Sequence, residues 1–304
     1  MSSFLGVRVC NVSDLVSDDI AILGALNATP YETGKKSHSH DAPDVIRSIS
    51  QKFSNWHSHY DFDTESELLA ASGSGVRDVG DLTGDPNTPA LNRDNIRASV
   101  RDILNSAATP IIIGGDDSVP IPVLQGFEHN GPIWIVQIDA HIDWRQERFG
   151  EPLGWSSTMR RASEMGWIEG IVQVGARGVG SALRSDVDDA RRWGAEIVTA
   201  RQLFEHGVSA ALSALPQGAR VFVALDCDAF DPSIFPAVLA QVPGGLNYWQ
   251  MIEILEVLSE RTNIAGCSIV EFAPQRDVGN VSAIMVARIL SCMITAISRS
   301  RSTT

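Results

Sequence analysis

Two apolar runs, each ending in acidic residues spaced two apart, constrain this chain more than any other feature. Residues 133–138 read as a buried strand and lead directly into Asp139, His141 and Asp143, while residues 221–225 read as a second strand that runs into Asp226 and Asp228. Successive side chains of an extended backbone point to opposite faces, so groups two apart converge on one side if strand geometry continues past the apolar run. A carboxylate buried without a partner is strongly disfavoured, so two such sets at strand ends require a compensating charge, which a divalent cation supplies. The plainer reading, a solvated strand-to-loop turn, accounts well for one such pair. It accounts poorly for two, one of which carries a histidine.

A further strand is expected at 111–113, where three isoleucines precede Gly114-Gly115-Asp116-Asp117-Ser118. The glycines permit a tight turn at its carboxyl end, Ser118 is placed to cap a helix begun by Pro120 or Pro122, and Asp117 is placed as a sixth ligand. The first strand is expected at 21–25, others at 76–82, 171–178, 196–199 and 264–270. Helices are expected from 42, over 92–105 after a loop at 86–89, from 159, over 248–260 and over 281–297. This alternation predicts an α/β protein with a mostly parallel sheet covered on both faces and a binding crevice at the strands' carboxyl ends. A chain of 304 residues, 44 % hydrophobic, without an evident linker or internal repeat, is expected to form a single domain over 1–304.

The net charge of −13 with no basic run argues against a nucleic-acid or membrane partner and is compatible with a cationic substrate. Cys10, Cys227, Cys267 and Cys292 form no CxxC pair, which points to reduced thiols and not to a disulfide framework or a thiolate zinc site. No apolar run is expected to reach the roughly 18 residues of a spanning helix, and Ser282 and Arg288 mark 281–297 as core or subunit packing. A soluble, cytoplasmic protein is therefore expected. His38 and His40, in a polar loop over 27–41, read as loop or subunit-contact residues, and His57 and His59 as surface or packing residues.

Taken together, Gly114-Gly115-Asp116-Asp117-Ser118, Asp139-Ala140-His141-Ile142-Asp143, Asp226-Cys227-Asp228-Ala229-Phe230-Asp231-Pro232 and Glu271-Phe272-Ala273-Pro274 resemble the ureohydrolase family of arginases and agmatinases. The segment from Pro30-Tyr31 to Arg47, Arg160-Arg161-Ala162, residues 173–178 and Pro243-Gly244-Gly245-Leu246 lean towards the agmatinase branch. The resemblance implies an arginase-like three-layer α/β/α fold, a homo-oligomer (trimer or hexamer), and two divalent metal ions, usually Mn2+ and in some members Ni2+. Asp117, Asp139, Asp143 and Asp226 would hold one ion, and Asp139, His141, Asp226 and Asp228 the other. A hydroxide bridging them would attack a guanidinium carbon, Asp143 or Asp228 would orient it and pass its proton on, and Glu271 would pair with the guanidinium. Agmatine, giving urea and putrescine, is the default substrate by overall similarity.

Three departures qualify that reading. Asp117 stands where the family usually has histidine, adding negative charge to a metal site. Trp155 stands where the agmatinase branch has a substrate-loop histidine, leaving proton transfer to solvent or to Glu151, with Trp155 packing, anchoring its loop or stacking on a flat cation. Residues 236–241 lack the hydroxyls the family often shows there. The alternatives to an active guanidine hydrolase are a catalytically impaired structural or regulatory subunit of a hetero-oligomer, and a hydrolase of another amidine or biguanide.

Overall fold

The structure is a computed structural model that describes residues 2–69 and 75–302. Nine strands form one sheet in which every pairing is parallel. In chain order they are β1 (Arg8–Val9), β2 (Ile20–Ala25), β3 (Val76–Leu82), β4 (Thr109–Ile113), β5 (Ile133–Ile138), β6 (Ile168–Ala176), β7 (Glu196–Thr199), β8 (Arg220–Asp226) and β9 (Asn263–Val270). Their spatial order is β1-β3-β2-β4-β9-β8-β5-β6-β7. The expectation that 21–25 is the first strand is corrected by β1, whose two residues are too few to show any period.

Alternation along the strands splits the core into two layers. Ile111, Ile113, Val221, Val223 and Leu225 pack on one face with Ile46, Leu255 and Leu290. Ile112, Phe222 and Ala224 pack on the other with Ile96, Val100 and Leu124. The result is a three-layer α/β/α fold in which each such large apolar side chain contributes about 1.5–3 kcal/mol on burial. The second helix, Pro89–Asn105, starts earlier than its apolar spacing suggested, with Pro89 in the first turn, where the missing N–H costs nothing.

The last helix, Val281–Ser302, corrects another expectation. Its residues Val281–Arg301 are long and apolar enough to cross a membrane by length and composition alone, yet most of that stretch is buried in the protein. Arg288, the charge that interrupts it, donates to Asp61 at 2.7 and 2.8 Å and to Asp63 at 2.7 Å. These acids lie in and just after the first strand of a small antiparallel pair, Tyr60–Asp61 with Ser66–Glu67.

The topology makes β4, β9, β8 and β5 neighbours, so their carboxyl ends bring Asp117, Glu271, Asp226 and Asp139 to the middle of one edge. The Gly-Gly turn after β4 has φ of +89° and +71°. A Cβ on Gly114 would lie 2.4 Å from Pro43 Cγ, and one on Gly115 would lie 2.6 Å from the Ala25 carbonyl oxygen, so only glycine fits at either position. Pro43 opens the helix Ala42–Ser50, which is tied to β3 by Arg47. That guanidinium donates to Asp78 at 2.8 and 3.0 Å and to Asp81 at 2.5 Å, with all three side chains at most 4 % exposed.

Arg47→Leu would strand two buried carboxylates, and should lower the unfolding free energy by about 3–5 kcal/mol. Urea denaturation of the variant beside the parent protein measures this. A change below about 1 kcal/mol would show that the ion pair is not needed to hold the helix.

Candidate metal centre

Strand β5 stops at Ile138, so the ligands after it are not aligned by continued strand geometry. Asp143 has φ +43°, a left-handed conformation, and the turn it makes brings its carboxylate back towards Asp139. Its carbonyl accepts the N–H groups of Met159 and Arg160, each at 3.1 Å. Trp144 next to it is buried and packs 6.0 Å from the Trp193 ring, which anchors the loop.

Ligand atoms of Asp139, His141 and Asp228 lie within 4.8 Å of one another, and those of Asp117, Asp139 and Asp143 do likewise. Asp139 belongs to both groups. Asp226 lines the same cavity, of about 290 Å3, and its Oδ1 accepts the Asp228 N–H at 2.7 Å. All five aspartates are at most 6 % exposed. Five sequence-selected residues thus line one cavity, Asp117, His141, Asp143, Asp226 and Asp228, and Asp139 lies within ligand distance of four of them.

Electrostatics follow from the crowding. Burial, then the charge of neighbouring carboxylates, pushes Asp117, Asp143 and Asp226 well above the usual carboxylate range. Burial and the Asp139 charge raise Asp228 to about 7, with His141 offsetting part of the effect. Burial opposes charge on His141, but hydrogen bonds to Asp139 and Asp228 overcome it and raise this imidazole to about 11. Asp117 Oδ2 is buried with no hydrogen-bond partner among the described residues. An orphaned carboxylate oxygen inside a mostly oxygen donor set, with one imidazole, fits hard divalent cations such as Mn2+.

Several supporting residues were not singled out for function in the sequence. Gln137 Nε2 donates to Asp139 Oδ2 at 2.7 Å and to Asp143 Oδ2 at 2.8 Å, and its Oε1 accepts from Gln173 Nε2 at 2.5 Å. Gln173 also donates to the Ile142 carbonyl at 2.7 Å, and the two glutamines are register partners on β5 and β6. The available signal was a single amide inside each of two otherwise apolar strands. The Arg177 guanidinium fixes the other wall by donating to the carbonyls of Asp228 (2.7 Å), Phe230 (3.1 Å) and Val242 (2.8 Å).

Glu271 lines the cavity in a left-handed conformation, φ +65°. Its Oε1 accepts the Asp117 N–H at 3.0 Å, and its Oε2 lies 2.5 Å from His38 Nε2. His38, expected as a loop residue that no element fixes, is therefore held against the site. Burial alone would lower its pKa, but the charge and hydrogen bond of Glu271 outweigh burial and raise it. Ser118 does not cap the following helix; its hydroxyl donates to Asp116 Oδ1 at 2.5 Å and accepts the Thr29 N–H at 3.0 Å. Trp155 lines the cavity while packing 4.0 Å from the Tyr31 ring and edge-on to His38. Glu151 lies outside the residues lining the cavity, its Oε1 accepting the Leu153 N–H at 2.8 Å.

Residues 18–295 match the sequence model of the arginase family. The chain is 32 % identical over 288 residues to an agmatinase of Pyrococcus horikoshii, covering 92 % of this chain and 93 % of that one. It is 29 % identical over 278 residues to an N(1)-aminopropylagmatine ureohydrolase of Thermococcus kodakarensis, with 90 % of each chain covered. Its fold matches that of proclavaminate amidino hydrolase from Streptomyces clavuligerus with a TM-score of 0.84 at 23 % identity, over 99 % of this chain and 98 % of that one.

The titrations give a pH prediction for metal-free protein. The raised pKa of Asp228 contributes stability that is present below 3.8 and lost as pH rises to about 7. That of His141 is present below 6.5 and lost as pH rises to about 11. Asp139, held low, loses its contribution only at acid pH. The melting temperature of chelator-treated protein should therefore fall between about pH 5 and pH 9. A fixed Mn2+ concentration, about a hundredfold over the Kd at pH 5, should add about 2.7 kcal/mol there and more at pH 9, where the ligands are deprotonated. A metal gain independent of pH in scanning calorimetry would contradict this account.

Proposed function

From the premise that the chain belongs to the arginase family, we propose that it hydrolyses a C–N bond of a small guanidino compound. The products are urea and an amine, and the site is a centre for two divalent cations, Mn2+ foremost. The observation that carries this reading is the sharing of buried Asp139 between two potential ligand groups, one with His141 and Asp228, the other with Asp117 and Asp143. Two cations held there supply Lewis acidity and an activated water near neutral pH.

The chain's own residues supply position and charge. Gln137 holds Asp139 and Asp143 together from below, with Gln173 holding Gln137. Asp143 and Asp228, each grouped with Asp139, orient the attacking water and carry a proton to the leaving nitrogen. Glu271 presents Oε2 to the guanidinium, whose planar N–H groups suit a carboxylate, and His38 is the positioning residue that fixes this oxygen before substrate arrives. Trp155 and Leu239 give the cavity an apolar wall that limits water. A non-catalytic subunit would carry the cost of five buried aspartates without using them, which argues for the enzyme. The relatives' names differ in substrate, so membership leaves the tail of the guanidino compound open.

Urea release from a panel of guanidino compounds, with protein loaded with Mn2+, Ni2+ or neither, tests the proposal. Turnover should require metal and fall by about 10³-fold or more in Asp139→Ala, the scale of losing a group that acts within a catalytic unit. No urea from any compound, with about two metals bound per chain, would sink the guanidine-hydrolase reading.

A further inference from the structure

The carboxylate cavity opens outward into a second one. Arg148, Trp155 and Leu239 line both, and the outer cavity, of about 370 Å3, is walled further by Tyr31, Lys35, Lys36 and Asp116. The two differ in charge. The inner cavity carries Asp117, Asp143, Asp226, Asp228 and Glu271 against His141 and the shared Arg148. The outer cavity carries three cations, Lys35, Lys36 and Arg148, against Glu32 and Asp116.

Both of those acids have partners within the chain. Glu32 is paired with Lys35 at 3.4 Å. Asp116 is buried, and its Oδ1 accepts both the N–H and the O–H of Ser118. The cations are differently placed. Lys36 Nζ lies 3.3 Å from His40 Nε2, and the Arg148 guanidinium lies over the rings of Tyr31 (5.7 Å) and Phe149 (5.0 Å). Neither cation pairs with a carboxylate among the described residues. Arg148 is thus a guanidinium steadied by aromatic faces, with its N–H fork unclaimed, at the junction of the two cavities.

A guanidino compound with its planar end among the carboxylates and its tail along Trp155 and Leu239, which both cavities share, would end beside Arg148. An ammonium there would meet like charge, whereas a carboxylate would meet a two-pronged donor of opposite charge. We propose that this protein selects a short ω-guanidino carboxylic acid, with its carboxylate taken by Arg148 and supported by Lys36, over a guanidino amine of similar length. This inference rests on the guanidine-hydrolase reading and sharpens it. It sets aside agmatine, whose tail is cationic.

The test compares guanidinobutanoate with agmatine on Mn2+-loaded protein, in the parent chain, Arg148→Glu and Lys36→Glu. Urea release is measured, and each compound's equilibrium binding is followed separately by calorimetry. The acid should be favoured about tenfold or more in kcat/KM, chiefly through KM, because the tail contact is remote from the bond broken. That preference should shrink as salt rises and should reverse in Arg148→Glu. Agmatine turned over equally well or better, or a preference unmoved by Arg148→Glu, would overturn the tail assignment and leave guanidine hydrolysis standing. Tail-dependent binding without urea would uphold the subsite and overturn the hydrolase reading. Neither binding nor urea would overturn both.

Discussion

Five aspartates held within one small, dry space repel one another, and much of the surrounding structure answers that repulsion. Four of them are pushed towards the protonated form, as the direction of the pKa shifts at Asp117, Asp143, Asp226 and Asp228 records, while Asp139 is held low by its hydrogen bonds and His141. Partial compensation comes from within the chain. Gln137 places one amide group on two carboxylates, His141 charges more readily than a free imidazole, and backbone N–H groups of Ala140, His141 and Asp228 point at Asp228, Asp139 and Asp226. These contacts do not neutralise the set, and the orphaned oxygen of Asp117 marks where they stop. Divalent cations bound there would complete the balance, and the stability of the folded chain would then be linked to its capacity for metal.

Backbone strain tracks the same demand. Asp143 and Glu271 take up left-handed conformations, which cost about 1–3 kcal/mol in a residue with a side chain. Both are held from outside the turn. The N–H groups of Met159 and Arg160 fix the carbonyl of Asp143, and the Glu271 N–H donates to the carbonyl of Gly115 at 3.0 Å. Gly115 is itself fixed against Ala25. The Gly-Gly turn therefore does more than close β4, because it supplies the platform on which the last strand's glutamate is oriented. Asp231 plays a similar part on the far wall, where its carboxylate accepts the N–H groups of Gly244 (2.7 Å) and Gly245 (3.2 Å) and closes the loop that carries Leu239.

What was legible in the sequence followed from periodicity. A strand buried on both faces is a short apolar run, and residues 133–138 emerge with the limits expected of them, as do the more polar, partly exposed strands at 76–82 and 196–199. The six candidate ligand positions drew attention because acidic residues, with one histidine, lie close after such runs. The mechanism of their convergence was not, since a left-handed turn at Asp143 has no pattern in a single sequence. His38 was missed for a related reason: its partner, Glu271, lies 233 positions away, and nothing local fixes the loop. Gln137 and Gln173 lay in plain view as amides inside strands, but their meaning appears only when β5 and β6 pair in register.

Overall charge was the least informative of the sequence signals about substrate. A chain of net charge −13 suits a cationic ligand, and the inner cavity agrees with it. Charge acts over about 8–10 Å in physiological salt, however, so a ligand responds to the groups lining its path and hardly to the sum over the molecule. Between the two cavities the balance of charge changes, with Arg148 and Lys36 lying on loops without periodicity to announce them. The division is physical. The sheet fixes a carboxylate cluster through buried strands that tolerate little change, while exposed loops can alter the charge at the mouth at small cost to stability. The carboxylate cluster is therefore set at the strand ends, and the charge beside it by side chains whose environment only the folded chain defines.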